Sequence, residues 1–316
     1  MASVSLPGPA DALGARPVAR ARTGRGSWWF PPTALGRVAA LRLLAYAFIP
    51  VDVLLTTAWV GQHGDVPGVL YRPVMAARLL HLPTPTRNGV DLLKLVLLVA
   101  AATAAVAVLT RATTLVRLAG AAVFGLYGWW MLVAMSYGKV DHDRFAFLVL
   151  LGVLPTVGAA RLGERRRSLQ AGWTVRMTEV AVVATYFFAA WSKLRFGGWN
   201  WATGATLTRA VLRRGTDLAQ WTLDHPGVLR GFQWGLLLLE LTSPILLFVR
   251  RDRIRYALVG ALIGFHVVTY LAIRIIFLPH VIALMAFLPL ERLGRRDAVG
   301  AVPAPTPTLP ASPVSP

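Results

Sequence analysis

Eight long apolar runs occupy most of this chain and constrain its fold more than any other feature. A helix needs roughly 20 apolar residues to cross about 30 Å of hydrocarbon. Hydrophobic residues make up 56% of the sequence, and they lie in continuous runs rather than in one-sided stripes. We therefore predict an all-α polytopic integral membrane protein, a helical bundle of about eight transmembrane helices near residues 38–60, 90–109, 115–136, 145–160, 174–192, 232–249, 256–273 and 275–290.

The composition predicts three regions along the chain. Residues 1–36 are rich in arginine and predict a basic disordered tail, residues 37–290 predict the transmembrane domain, and residues 291–316 predict a Pro-rich disordered tail. The first apolar run contains Arg42 and Asp52 and lacks a small-residue cleavage site. It is therefore predicted to be an uncleaved first span rather than a signal peptide.

The net charge of +19 indicates membrane topology rather than a nucleic-acid partner, because the arginines lie mostly in short loops between apolar runs. With eight spans, the excess of basic residues falls on the side that holds both chain ends. The positive-inside rule then predicts a multi-pass protein of the cell membrane with both termini in the cytoplasm. Cysteine is absent, which excludes disulfides, thiolate nucleophiles and cysteine-ligated metals.

The same topology predicts that residues 193–231 face the opposite side, which is the periplasm or the cell exterior in a bacterium. Within them, the stretch "ATLTRAVLRRGTDLAQWTL" has apolar residues interrupted by charges. This pattern predicts an interfacial amphipathic helix or a cap over the outer ends of the spans. An ordinary loop lying on the membrane is the alternative.

Ionisable residues at membrane depth are costly, so each is a candidate for function. The candidates are Arg42, Asp52, Lys94, Glu179, Glu240, His266 and His280. Counting 1.5 Å per helical residue places the last three in the outer half of neighbouring spans. Lys193 and His142 lie at span ends on the same side, so these five residues are predicted to surround one outward-facing cavity.

Simpler roles are open for each member of this group. A lysine at the end of a span often extends to the lipid headgroups, and Glu240 and His266 can join two helices by a hydrogen bond. His280 follows Pro279 and can satisfy a carbonyl that the proline leaves free. The histidine spacing does not indicate a metal site, and we expect none.

Lys193 is one of three lysines among 33 basic residues, and it follows an apolar aromatic run. An apolar wall favours the neutral amine, which makes a lysine a usable base, whereas arginine stays protonated. The retained lysine therefore indicates amine chemistry.

The stretch "YFFAAWSKLRFGGWNWATG", residues 186–204, resembles a signature of the horizontally transferred transmembrane (HTTM) domain, which is the membrane part of vitamin K-dependent gamma-carboxylases. The stretches "DHDRFAFLVLLGVLP", "ELTSPILLFVRR" and "FHVVTYLAIRIIF" resemble further motifs of this domain, in the same order. The resemblance is to a short bacterial relative without the large lumenal domain, and Ser192 replaces the first lysine of the family's triplet.

This resemblance implies a base role for Lys193 towards a reduced, vitamin K-like quinone, and it places His142 beside the quinone. Glu240, His266, Trp191 and Trp199 would then contact the cofactor. The predicted function is that of an HTTM-type membrane protein, and if it is an enzyme, its chemistry would resemble gamma-carboxylation with quinone epoxidation.

The alternative is a non-catalytic protein that binds lipid or a protein partner, of an immunity or accessory type. The expected partners are membrane lipids and a lipid-soluble small molecule, with a protein partner of unknown identity. A transporter is less favoured because the chain lacks a pair of Gly/Pro-broken helices in corresponding halves.

Overall fold

The computed structural model describes residues 27–138 and 140–293, and within them the regular secondary structure is helical apart from one pair of two-residue strands. The strands are β1 (Thr33–Ala34) and β2 (Arg167–Ser168). The α-helices are α1 (Leu35–Val51), α2 (Met75–Leu79), α3 (Arg87–Thr110), α4 (Thr113–Met135), α5 (Phe145–Val153), α6 (Leu169–Gly197), α7 (Ala205–Arg214), α8 (Asp217–Gln220), α9 (Pro226–Thr242), α10 (Asp252–Ile273) and α11 (Leu278–Leu284). The predicted all-α class is confirmed.

Four of these helices are long and apolar enough to cross a membrane. They are α1 with its π-helical continuation to Thr56, α3, α4 and α10. The predicted count of eight spans is therefore wrong for the described part of the chain. The predicted cytoplasmic position of both termini was counted on eight crossings, and it stays a prediction.

Proline explains most of this difference. Pro155 lies in the 3₁₀ turn that follows the nine-residue α5, and Pro279 begins the seven-residue α11. In the same way, Pro244 lies in the 3₁₀ segment that ends the 17-residue α9. Proline lacks a backbone N–H and stops the α-helical ladder, so an apolar run does not become one long helix. The remaining predicted span lies in α6. This helix is 29 residues long, but it is less apolar than α1, α3, α4 and α10.

The main core lies between α1, α3, α4, α5 and α6, and α9 and α11 also pack against α6. By contrast, only 33% of the most apolar window of α3 and 22% of that of α10 are buried. Leu92, Leu95 and Val99 are among the large apolar side chains that α3 leaves exposed. Such long apolar faces require lipid or another apolar partner around them.

Arg42 donates hydrogen bonds to backbone carbonyls that follow α5, where the fourth apolar run stops being α-helical. Its side chain is buried, and its Nη2 donates to the carbonyl of Leu154 at 2.9 Å and also to that of Val157. Its Nη1 donates to the carbonyl of Gly158 at 3.0 Å. These carbonyls follow the end of α5 and have no helical donors of their own, so one guanidinium satisfies all three.

The residues before α1 pack against the bundle. Thr33 pairs with Ser168, and Gly172 lets the chain at Pro31 approach α6. A Cβ atom at Gly172 would lie 1.7 Å from the Pro31 carbonyl oxygen. The rest of the two predicted disordered tails, residues 1–26 and 294–316, lies outside the described residues.

Replacing Gly172 with alanine is expected to displace the chain around Pro31 and to lower the free energy of unfolding by about 1–3 kcal/mol, because backbone cannot yield as a side-chain tip does. Chymotrypsin should then cleave at Trp28–Phe30 faster than in the wild type. Gly125→Ala is the matched control, because beyond its chain neighbours and the backbone of its own helix no heavy atom lies within 4 Å of a Cβ there. If Gly172→Ala resists chymotrypsin as the wild type does, the close packing is not required.

Candidate functional site

An apolar cavity of about 1470 Å³ lies between α6, α9 and α10, with α7, α8 and α11 completing its wall. Most of its lining residues are alanine, valine, leucine, phenylalanine and tryptophan. The few polar side chains include His142, Asp143, Lys193, Glu240, His266 and His280. The five residues predicted to surround one cavity therefore do line the same cavity.

One face of α6 carries much of the wall. Residues 185, 186, 189, 192 and 193 recur at three- to four-residue spacing, and helical periodicity brings them to the same side. Trp191 lies on a different face of α6 from these residues and is 51% exposed. Trp199 lies beyond the end of α6, is 68% exposed and stacks on Trp234 at a ring-centroid distance of 5.9 Å.

Neither Trp191 nor Trp199, both predicted to contact a cofactor, is part of the cavity wall. Two other tryptophans are part of it, Trp201 and Trp221. Gly198 has a φ of 58° and lets the chain leave α6 sharply, so the residues after it turn back towards the cavity. The turn, which the sequence does not specify in detail, decides which tryptophan faces inward.

Lys193 and Glu240 form a salt bridge on this wall. The Glu240 side chain is 8% exposed and that of Lys193 is 22% exposed, so the pair is largely shielded from water. The Lys193 ammonium also lies 5.1 Å from the centroid of the Trp201 ring, within the range of a cation–π contact. Each charge is compensated by its neighbours, and the pair still borders the cavity.

Tyr186 connects two buried histidines. Its hydroxyl lies 2.6 Å from Nε2 of His266, and its ring meets the His280 ring edge-on at 4.5 Å between centroids. His266 Nδ1 and both ring nitrogens of His280 are buried without a hydrogen-bond partner among the described residues. Tyr186 was not singled out from the sequence, although it lies two helical turns before Lys193 on the same face.

A second charged group supports the cavity from the side of α1 and α4. Guanidinium nitrogens of Arg144 lie 3.2 Å from a carboxylate oxygen of Asp143, 3.8 Å from one of Asp141 and 3.4 Å from one of Asp52. Burial raises the pKa of Asp143, and the adjacent Arg144 guanidinium offsets part of this effect. The network holds the short 3₁₀ helix His142–Arg144 against the bundle, and its first two residues line the cavity.

The amphipathic stretch after α6 forms α7 and α8, which lie along the cavity. Leu207 and Val211 face it, whereas Arg213 and Arg214 are exposed. The Thr216 backbone N–H donates to the Ala272 carbonyl at 3.0 Å, which connects this segment to the end of α10.

Among residues 27–138 and 140–293, no group of three or more histidine, cysteine, aspartate or glutamate side chains has the arrangement of a metal site.

Within the described residues, the fold and the site together define a mainly helical protein that has four helices long and apolar enough to cross a membrane and a large apolar cavity with a charged pair in its wall. No protein-family model matches the sequence, and no curated protein or solved structure matches it significantly. The resemblance to the HTTM domain consequently rests on the sequence motifs alone.

Proposed function

We propose that this chain is an integral membrane protein whose cavity binds an elongated lipid-soluble molecule with a polar end group. The observation that carries this proposal is the composition of the wall, which is mostly apolar and has a few hydroxyl side chains and one cluster of ionisable side chains. Pockets for drug-sized ligands have volumes of about 300–1000 Å³. A cavity of about 1470 Å³ is larger, and it has room for a long hydrocarbon chain.

The histidine cluster favours a ligand whose end carries a hydroxyl or a carbonyl. Buried polar atoms without partners are unusual and costly, about 1–3 kcal/mol each. Three such nitrogens belong to His266 and His280, at the wall of the same cavity. These nitrogens are shielded from water-sized molecules, so a ligand oxygen would satisfy one of them only after a rotation of its imidazole ring towards the cavity.

A reduced quinone has both parts, an apolar tail and a hydroxyl-bearing ring. In this proposal the Lys193–Glu240 pair acts as one acid–base unit towards that hydroxyl. In this step Lys193 would pass its proton to the Glu240 carboxylate and accept the proton of the bound hydroxyl, so that the pair ends as a carboxylic acid and an ammonium beside the deprotonated oxygen. No redox step is needed for this deprotonation, and any gamma-carboxylase-like reaction would begin from the resulting anion.

The first test is the identity of the molecule that the protein retains. Protein purified in mild detergent would be extracted, and the extract would be analysed by ultraviolet absorbance and mass spectrometry. A quinone or a related isoprenoid supports the proposal. If only bulk phospholipid is found, the non-catalytic lipid-binding alternative is favoured instead.

Lys193→Ala is expected to reduce retention of an added isoprenoid naphthoquinol at least about tenfold, because it leaves the Glu240 carboxylate buried without its partner. Lys193→Arg keeps the cation and should retain the quinol, but it should lose quinol deprotonation, because arginine is not a base. Bound quinol is measured by mass spectrometry, and the anion by its absorbance.

The matched control is Lys94→Arg, because the Lys94 ammonium donates a hydrogen bond to the Asp91 carboxylate on α3 and is not part of the cavity wall. It should behave as the wild type in both measurements. If Lys193→Arg forms the quinol anion as well as the wild type does, the acid–base role is wrong, and the pair only joins α6 to α9.

A further inference from the structure

A second, polar cavity of about 200 Å³ lies near the beginning of α6. Its charged lining consists of Arg37, Arg167, Arg176, Arg255, Glu179 and Glu291. Arg176 precedes Lys193 by 17 residues, which is about 26 Å along the helix. This polar cavity is thus separate from the apolar one.

Both carboxylates of the polar cavity are already paired. Arg37 donates to the two oxygens of Glu291 at 3.0 Å each, and Arg176 Nη1 lies 2.8 Å from Glu179. Burial alone would raise the pKa of Glu291, but the hydrogen bond and charge of Arg37 outweigh it and lower that pKa. Glu291 therefore stays ionised, and its charge is compensated within the pair.

The other two arginines leave an excess of positive charge. Arg167 forms no ion pair with any described residue, and Arg255 pairs with Asp252, which is not part of the lining and is 57% exposed. Within the described residues, the Nε atoms of Arg176 and Arg255 are buried and have no acceptor. Four guanidinium groups thus converge on one cavity that holds two carboxylates, and they favour an anion with several acceptor oxygens, such as a phosphate group.

Aromatic side chains beside this cavity indicate where the anion comes from. The Arg176 guanidinium lies 4.6 Å from the centre of the Trp28 ring, and Trp28 stacks on Phe248 at 6.0 Å. Trp28 is 38% exposed, Trp29 46% and Phe248 66%. Exposed aromatic side chains are enriched at the level of lipid headgroups, and basic pockets between membrane helices bind anionic headgroups.

We infer that the polar cavity formed by Arg37, Arg167, Arg176 and Arg255 binds the phosphate of an anionic phospholipid headgroup. This inference rests on the proposed membrane insertion of the chain, and it is independent of the ligand in the apolar cavity. A free phosphate ion has the same chemistry, and the experiment separates the two sources.

The test compares the thermal unfolding of the full chain in neutral detergent with added phosphatidylglycerol, phosphatidylcholine or inorganic phosphate. Phosphatidylglycerol is expected to raise Tm by about 4 °C more than phosphatidylcholine does. The double variant Arg167→Gln/Arg255→Gln should lose this difference. Arg213→Gln/Arg214→Gln is the matched control, because it removes the same charge from exposed positions on α7 and should keep the difference.

Arg167→Gln alone is included because Arg167 is exposed and pairs with no described carboxylate, so its loss should not disturb folding. It should reduce the phosphatidylglycerol effect in part. Equal shifts with both lipids, or an unchanged shift in the double variant, would overturn the inference. An equal shift with inorganic phosphate alone would overturn the assignment to lipid. Neither result would bear on quinol retention, so failure here is distinguishable from failure of the proposed function.

Discussion

Replacing Asp52 with alanine is expected to lower the free energy of unfolding by about 3–5 kcal/mol, because it removes one partner from a buried ionic network. The Asp52 carboxylate accepts a hydrogen bond from the Tyr127 hydroxyl at 2.7 Å and faces Arg144 at 3.4 Å. It also accepts a hydrogen bond from Thr56 within the π-helical turn that ends α1. The loss should appear in thermal unfolding in detergent and as reduced ligand retention, because Arg144 directly follows His142 and Asp143, which line the cavity.

One further variant separates charge from hydrogen bonding at this site. Asp52→Asn keeps an acceptor for Tyr127 but loses the charge opposite Arg144, so an intermediate loss is expected. Asp65→Ala is the control, because the Asp65–Arg87 salt bridge is exposed and should contribute at most about 1 kcal/mol. If Asp52→Ala unfolds at the same temperature as Asp65→Ala, the network does not stabilise the fold.

Replacing Arg42 with methionine is expected to cost about 3 kcal/mol. Removing the guanidinium relieves the cost of burying its charge, but it leaves the carbonyls of Leu154, Val157 and Gly158 without their donor, at about 1–3 kcal/mol each. For a chain of this size the melting temperature should fall by about 6–10 °C. The measurement is thermal unfolding in a fixed detergent.

Arg165→Gln is the control for Arg42→Met, because Arg165 is an exposed arginine a few residues beyond the carbonyls in question. Arg42→Lys should fall between the two, since a lysine keeps the charge but has three donors on one nitrogen. A methionine variant as stable as the wild type would mean that water or a rearranged turn satisfies the three carbonyls.

Both predicted losses concern ionisable groups that were read from the sequence as candidates for function. Asp52 and Arg42 are buried in the structure, but neither is part of the apolar cavity wall. Their partners indicate structural roles. Asp52 accepts hydrogen bonds at the π-helical turn that ends α1, and Arg42 donates to the carbonyls that follow α5. Charge at membrane depth therefore identifies residues that need partners, and only the partners distinguish a structural role from a chemical one.

The gathering of Lys193, His142, Glu240, His266 and His280 around one cavity was expected from helical rise and span order. That reasoning assumed eight crossings, and the five residues line one cavity although four helices in the described part of the chain are long and apolar enough to cross a membrane. They do so because short, proline-interrupted helices still pack beside α6 in chain order. Trp191 and Trp199 lie outside the cavity wall, because helical rotation and the turn at Gly198 decide their direction.

The sequence by itself determined the helical class, through continuous apolar runs, and the set of ionisable residues that need partners, through their position inside those runs. The tertiary structure alone decided where the helices end and which side chains satisfy their last carbonyls. It also decided which aromatic side chains face the cavity, and that four arginines from three separate parts of the chain meet in one polar cavity. The physical reason is that burial in a run depends on local composition, whereas pairing depends on the rotation and approach of helices that are far apart along the chain.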